Sequence, residues 1–159
     1  IARLNPNPLR NLLYDNTMVE GWALYAEGLL WGAGGFGPSP EAESQTLSSY
    51  RYRVRRVFYD VNVECGHWTL QEAGDFKSQT RRGKGNVDED ILRTINWPAQ
   101  LIGYFTGKMQ IISLREDYRR KLGASYSERK FHDAFLAAGS IPIALIRAKL
   151  LNEPVPGIE

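Results

Sequence analysis

Sulfur, imidazole and unbalanced charge are all scarce in this chain. One cysteine, Cys65, in 159 residues excludes an intramolecular disulfide and any cysteine-based zinc site, though it leaves the compartment open. Histidine occurs only twice, at His67 and His132. Lys+Arg 20 against Asp+Glu 18 leaves a net charge of +2, too small a surplus to argue for nucleic acid. The one basic cluster, Arg81-Arg82-Gly83-Lys84, is short and has no interleaved aromatics, so it reads as a solvated loop. No apolar run reaches the ~18 residues of a membrane span. There is no initiator Met and no signal-like start; Ile1-Ala2-Arg3-Leu4 opens as though something preceded it, the hint of a fragment. No segment alternates with period two, and no repeat, low-complexity tract or interdomain linker is found, which argues against strands and hairpins.

What remains is helical. A hydrophobic content of 43% and a charged content of 24% suit a soluble globular protein, and the length suits one domain, 1–159, with a substantial core. Residues 1–16 are an irregular lead-in broken by Asn5-Pro6-Asn7-Pro8. A first helix is expected over about 17–31, closed by the glycine-rich run Gly32 to Gly37. A second starts at Ser39-Pro40-Glu41, with Ser as N-cap and Pro at the first position, and runs to about Cys65. Its apolar stripe is Val54, Val57, Phe58 and Val61, and Arg56 and Asp60 stand at i,i+4 spacing for an intrahelical pair. Thr69-Leu70-Gln71-Glu72 is a capping box for a short helix ending near Lys77. Asn86 caps another, over about 87–95. The longest is expected from Pro98 to Leu122 with Leu101, Ile102, Phe105, Met109 and Ile112 on its apolar face. Gly103 and Gly107 leave a smooth patch for a neighbouring helix. Two more follow, about 127–138 and, from the Ser140-Ile141-Pro142 start, to Leu151. The reading is all-α, six or seven helices.

The stretch that points to chemistry is Glu20-Gly21-Trp22-Ala23-Leu24-Tyr25-Ala26-Glu27. Seven residues is nearly two helical turns, so Glu20 and Glu27 project from almost the same face. Two carboxylates among Trp, Leu, Tyr and Met carry a desolvation penalty unless a cation, a metal or a buried donor meets them. Two plainer readings stand beside this. Thr17-Met18-Val19-Glu20 fits a capping box, and Glu27 fits an ion pair with one of the arginines.

Several phrases together resemble the bacterial family catalogued as domain of unknown function 885, whose members look like zinc-dependent metallopeptidases of the mostly helical gluzincin kind. They are the 20–27 phrase, Arg53 through Asp60, Trp68-Thr69 with Glu72-Ala73, Pro98-Ala99-Gln100 with Tyr104 and Gly107-Lys108, Leu114-Arg115, and Phe131-His132-Asp133 with Leu136, Gly139 and Pro142. The resemblance implies a zinc site built from two histidines of an HExxH helix and a later glutamate, which maps to Glu20. It implies Glu27 and Asp60 as groups that orient a ligand histidine, Tyr104 and His132 as donors to the developing oxyanion, and Gln100 and Arg115 as holders of peptide substrate. Each has a plainer alternative: Tyr104 a core tyrosine, His132 a local partner of Asp133, Gln100 a surface residue, Arg115 a structural ion pair.

The chain departs from the family at three places. It contains no HExxH, which in the family lies just upstream of the segment that Ile1 to Arg10 resembles. Glu20 alone cannot hold zinc, because a catalytic site needs about three protein ligands. Glu64 stands where the family tends to have histidine, and Ala99 where it commonly has glycine. The expectation is therefore the C-terminal portion of a zinc metallopeptidase, with peptide substrate and the missing upstream segment (or a second copy) as partners, and with neither nucleic acid nor membrane. The alternative is a non-catalytic helical remnant or binding module, in which Arg53, Arg56 or Lys108 pair with the buried carboxylates.

Overall fold

Helix starts in this protein are written mostly in short polar side chains. Ser39 accepts from the Ala42 amide at 3.1 Å with Pro40 behind it, and Ser127 accepts from Lys130 at 3.2 Å. Thr69 and Glu72 satisfy each other's amides, at 2.7 and 3.2 Å. The computed structural model describes residues 8–37, 39–78, 86–155 and 157. Among them lie α1 (Asn16–Gly32), α2 (Pro40–Glu64), α3 (Leu70–Ser78), α4 (Glu89–Asn96), α5 (Gly103–Leu122), α6 (Glu128–Leu136) and α7 (Ile143–Leu151), with 3-10 turns at Pro8–Asn11 and Gly123–Ser125. The fold is all-α, with no strand among the described residues. No helix is long and apolar enough to cross a membrane, again among the described residues. The Arg81–Lys84 cluster and the Asn5-Pro6-Asn7 breaker lie outside them.

Three starts differ from expectation. The amide of Met18 is taken by Asp15 Oδ1 at 2.6 Å, so Asp15 caps α1 and the Thr17–Glu20 capping box does not form. Asp88, not Asn86, caps α4 by accepting from Ile91 at 3.2 Å. The helix expected to be the longest begins at Gly103 rather than Pro98, which leaves α2 longer than α5. Ala99 sits at φ 61°, a left-handed conformation that interrupts any helix, and the Ile102 amide is donated to Asp60 at 3.2 Å instead of to a carbonyl one turn back.

The chain divides into two compact units, residues 1–25 with 106–159, and residues 26–105. In the first unit Met18, Tyr25, Ile111, Leu114, Phe131, Phe135 and Ile146 form the buried core. Of the expected stripe, Leu101 is fully buried in the second unit, whereas Met109 is 46% exposed; the positions of α5 buried in the first unit are Gly107, Ile111 and Leu114, again at helical spacing. Gly107 meets α1 backbone to backbone: a Cβ on Gly21 would lie 2.6 Å from its Cα. Arg10 donates to the Ala138 carbonyl at 2.7 Å and the Asp15 amide to that of Ser140 at 3.1 Å, which ties the approach to α1 to the α6–α7 connection.

The second unit packs Tyr59, Ala73, Ile91 and Leu101 together, with Trp68, Leu70 and Phe76 against them. Here α2 does not bury its apolar stripe. Phe58 and Val61 are exposed while Tyr59 and Asp60 are fully buried. A polar face can be buried when its groups find partners, and these do.

Candidate functional site

In the first unit, three side chains from three helices meet at one phenol. Tyr25 on α1 is buried, and its hydroxyl lies 3.0 Å from Nε2 of His132 on α6 and 3.3 Å from Nη1 of Arg115 on α5. Trp22 walls the group, edge-on to His132 at 5.5 Å and stacked on Phe135 at 5.4 Å. The acids are at the rim. Glu116 accepts from Arg115 at 3.0 Å, and Glu128 lies 3.9 Å from Arg115 and 3.6 Å from His132. Burial raises the pKa of Tyr25, and the Arg115 hydrogen bond only partly opposes it, so the phenol keeps its proton. Burial pulls the Arg115 guanidinium down, but its bonds to Tyr25 and Glu116 and the nearby Glu128 outweigh this and hold it charged.

In the second unit the polar centre is Asp90 at the start of α4. It accepts from Arg56 at 2.7 Å, from Tyr52 at 2.8 Å and from Tyr59 in a short bond, with Lys77 at 3.2 Å. Burial pushes its pKa up. The Tyr59 and Tyr52 hydrogen bonds and the Arg56 charge overcome that and hold it down at about 2. Arg56 therefore pairs with Asp90, and the expected Arg56–Asp60 pair is absent. Asp60 instead accepts the Ile102 amide through Oδ2, while its buried Oδ1 has no hydrogen-bond partner. Its pKa is raised, first by burial and then by Glu64 and Asp90.

The residues that the sequence points to fall into both units. Glu20 is half-buried on α1, and it makes no hydrogen bond or ion pair with Tyr25, Arg115 or His132. His132 and Arg115 are brought together through Tyr25; His132 does not pair with Asp133, which lies 3.6 Å from Arg129 on the exposed face. In the second unit Glu27 pairs with Arg53 at 3.3 Å, as its plainer reading expects. Tyr104 is half-buried with the Arg56 guanidinium 5.3 Å from its ring. Gln100 is buried rather than on the surface, and its carbonyl accepts from Arg93 at 2.6 Å. Two residues of evident weight, Tyr25 and Asp90, are not among the candidates that the sequence offers. Tyr25 sits three residues after Trp22 on one face, a hint of an aromatic wall; Asp90 reads in sequence only as an acid favourable to the helix dipole.

A family model described as bacterial protein of unknown function, DUF885, matches residues 2–150. The chain belongs to this family. No curated protein matches it. Among solved structures, the fold is similar to one described as "the putative lipoprotein from Colwellia psychrerythraea", with a TM-score of 0.77 and 31% identity over 86% of this chain. The DUF885 chain described here spans only 24% of that protein's length.

The zinc implied by the family resemblance can be tested against the donors present. Among the described residues no three His, Cys, Asp or Glu side chains converge on a common point. Glu20 offers one carboxylate, and the Nε2 of His132 faces a phenol. These residues by themselves do not fit a zinc ion, which needs about three protein ligands.

Proposed function

We propose that the chain is the C-terminal portion of a larger zinc-dependent peptidase, in which it supplies one metal ligand, Glu20, and part of the wall that holds the peptide. The observation that carries this reading is the Arg115–Tyr25–His132 group. It is a preorganised hydrogen-bonded group beside an apolar wall, the kind of environment that polarises a carbonyl oxygen. Support comes also from the relative of about four times the length, which leaves ample chain elsewhere for further ligands. In this reading His132 faces the carbonyl oxygen, Arg115 holds its neighbours in place, and two histidines from outside these residues complete the metal site with Glu20. The close Gly21–Gly107 contact fixes the α1 backbone next to Glu20.

The test is to join the chain to an upstream segment carrying His-Glu-x-x-His and to measure zinc content and peptide hydrolysis. Stoichiometric zinc and hydrolysis are expected, both lost in Glu20→Ala. Zinc held as tightly by Glu20→Ala as by the parent would end the ligand assignment.

One observation favours a second reading, a non-catalytic helical module. Glu27 is met by Arg53, and Asp90 by Arg56 and Lys77, so these two carboxylates of the second unit already have cationic partners among the side chains. The reading frame ahead of Ile1 discriminates: a His-Glu-x-x-His phrase there supports the peptidase, and its absence supports the module.

A further inference from the structure

The two ring nitrogens of His132 stand in different surroundings. Nε2 is 3.0 Å from the Tyr25 hydroxyl, whereas Nδ1 has no hydrogen bond among the described residues. The same hydroxyl lies 3.3 Å from Arg115 Nη1. A guanidinium has only hydrogens to give, so the phenol oxygen accepts from Arg115. Its single hydrogen is then directed at the nearest acceptor, His132 Nε2. A neutral imidazole carries one N–H, and the nitrogen that accepts cannot be the one that bears it. The charged groups facing the ring are Arg115 from α5 and Glu128 from its own helix. Glu128 is 3.6 Å from Nε2, beyond hydrogen-bond reach, and more than half exposed, so it does not compete for a hydrogen there.

We propose that Arg115 and Tyr25 are positioning residues that hold neutral His132 in its Nδ1–H tautomer, leaving Nδ1–H as a donor to the oxygen of a bound peptide carbonyl. Naming the carbonyl rests on the peptidase reading; the tautomer does not. The arrangement works by subtraction: one nitrogen is committed inside the protein, so the other has a defined role toward a ligand.

Nitrogen-15 NMR of the full protein, labelled at histidine and held where imidazole is neutral, reads the tautomer directly. The His132 signals are identified by their loss in His132→Gln. The expected spectrum has Nε2 pyridine-like and Nδ1 pyrrole-like. Tyr25→Phe keeps the ring packing and removes the hydroxyl, and the two nitrogens then exchange character. Arg115→Met lets the phenol accept from Nε2–H, which gives a mixture. An Nε2–H signal in the parent protein overturns the proposal with no variant needed, as does an unchanged Nδ1–H signal in Tyr25→Phe. In the protein joined to its His-Glu-x-x-His segment, Tyr25→Phe is expected to slow peptide hydrolysis roughly tenfold or more. A switched tautomer with unchanged hydrolysis overturns the carbonyl as the ligand while the tautomer assignment stands.

Discussion

Gly21 of α1 and Gly107 of α5 touch through their backbones: a Cβ on Gly21 would sit 2.6 Å from Gly107 Cα, and one on Gly107 would collide with the Thr17 carbonyl oxygen. Neither obstacle is the end of a flexible side chain, so an added methyl must push the helices apart. Gly21→Ala and Gly107→Ala are each expected to lower stability by about 1–3 kcal/mol in chemical denaturation. Gly32, at the end of α1, has nothing within 4 Å of where a methyl group would stand, and Gly32→Ala serves as the control. It should be neutral or stabilising by up to ~1 kcal/mol.

Ala99 holds φ 61° where the family resemblance expects glycine. An L-residue in the left-handed region costs roughly 1–2 kcal/mol, part of which glycine returns through a more flexible unfolded chain. Ala99→Gly should therefore raise stability by about 0.5–1 kcal/mol. A measured loss would mean that the Trp97–Gly103 turn depends on the methyl group.

Asp90 is a buried acid-sensitive group of the second unit. Its pKa is depressed from 3.8 to about 2, so its contribution is present above the unfolded value and is lost as pH falls through the folded one. The size is roughly 2 kcal/mol, leaving between about pH 4 and pH 2. Asp90→Asn strands Arg56, while Lys77 keeps Asp88 at 2.8 Å, and should cost roughly 3–5 kcal/mol at neutral pH. Stability against pH, measured on both proteins, should show the variant lacking most of that acid limb.

Asp60 has the opposite sign. Its pKa is raised by burial, so the ionised form is penalised in the folded protein only at pH values above the unfolded pKa. Asp60→Asn removes that penalty. The stability of the variant relative to the parent should rise with pH through and beyond the usual carboxylate range. A difference that stays flat between about pH 3 and about pH 7 would show that Asp60 ionises in the fold as it does in water.

Helix positions are largely legible because their caps are local. Ser39-Pro40, Thr69–Glu72 and Ser127 each act within four residues, and the chain folds there as its own neighbours dictate. What cannot be read depends on residues far apart in sequence. The polar face of α2 is buried because Asp90, thirty-four positions from Arg56, compensates it. The late start of α5 follows from Asp60 taking the Ile102 amide across forty-two positions. At the candidate site, His132 and Arg115 stand out in the sequence, but the phenol that joins them reads as one more aromatic on an apolar helix. Only the packing of α1 against α5 and α6 brings Tyr25 between the two.

The first unit is assembled from both ends of the chain, while the second is one continuous stretch whose core is complete by Leu101. On a ribosome, residues 26–105 can therefore collapse early, whereas Met18 and Tyr25 must wait for Phe131 and Ile146 to emerge. The segment bearing Glu20 lacks these partners until residues 106–159 have emerged, and closing such long-range contacts carries the loop entropy that contact order reflects.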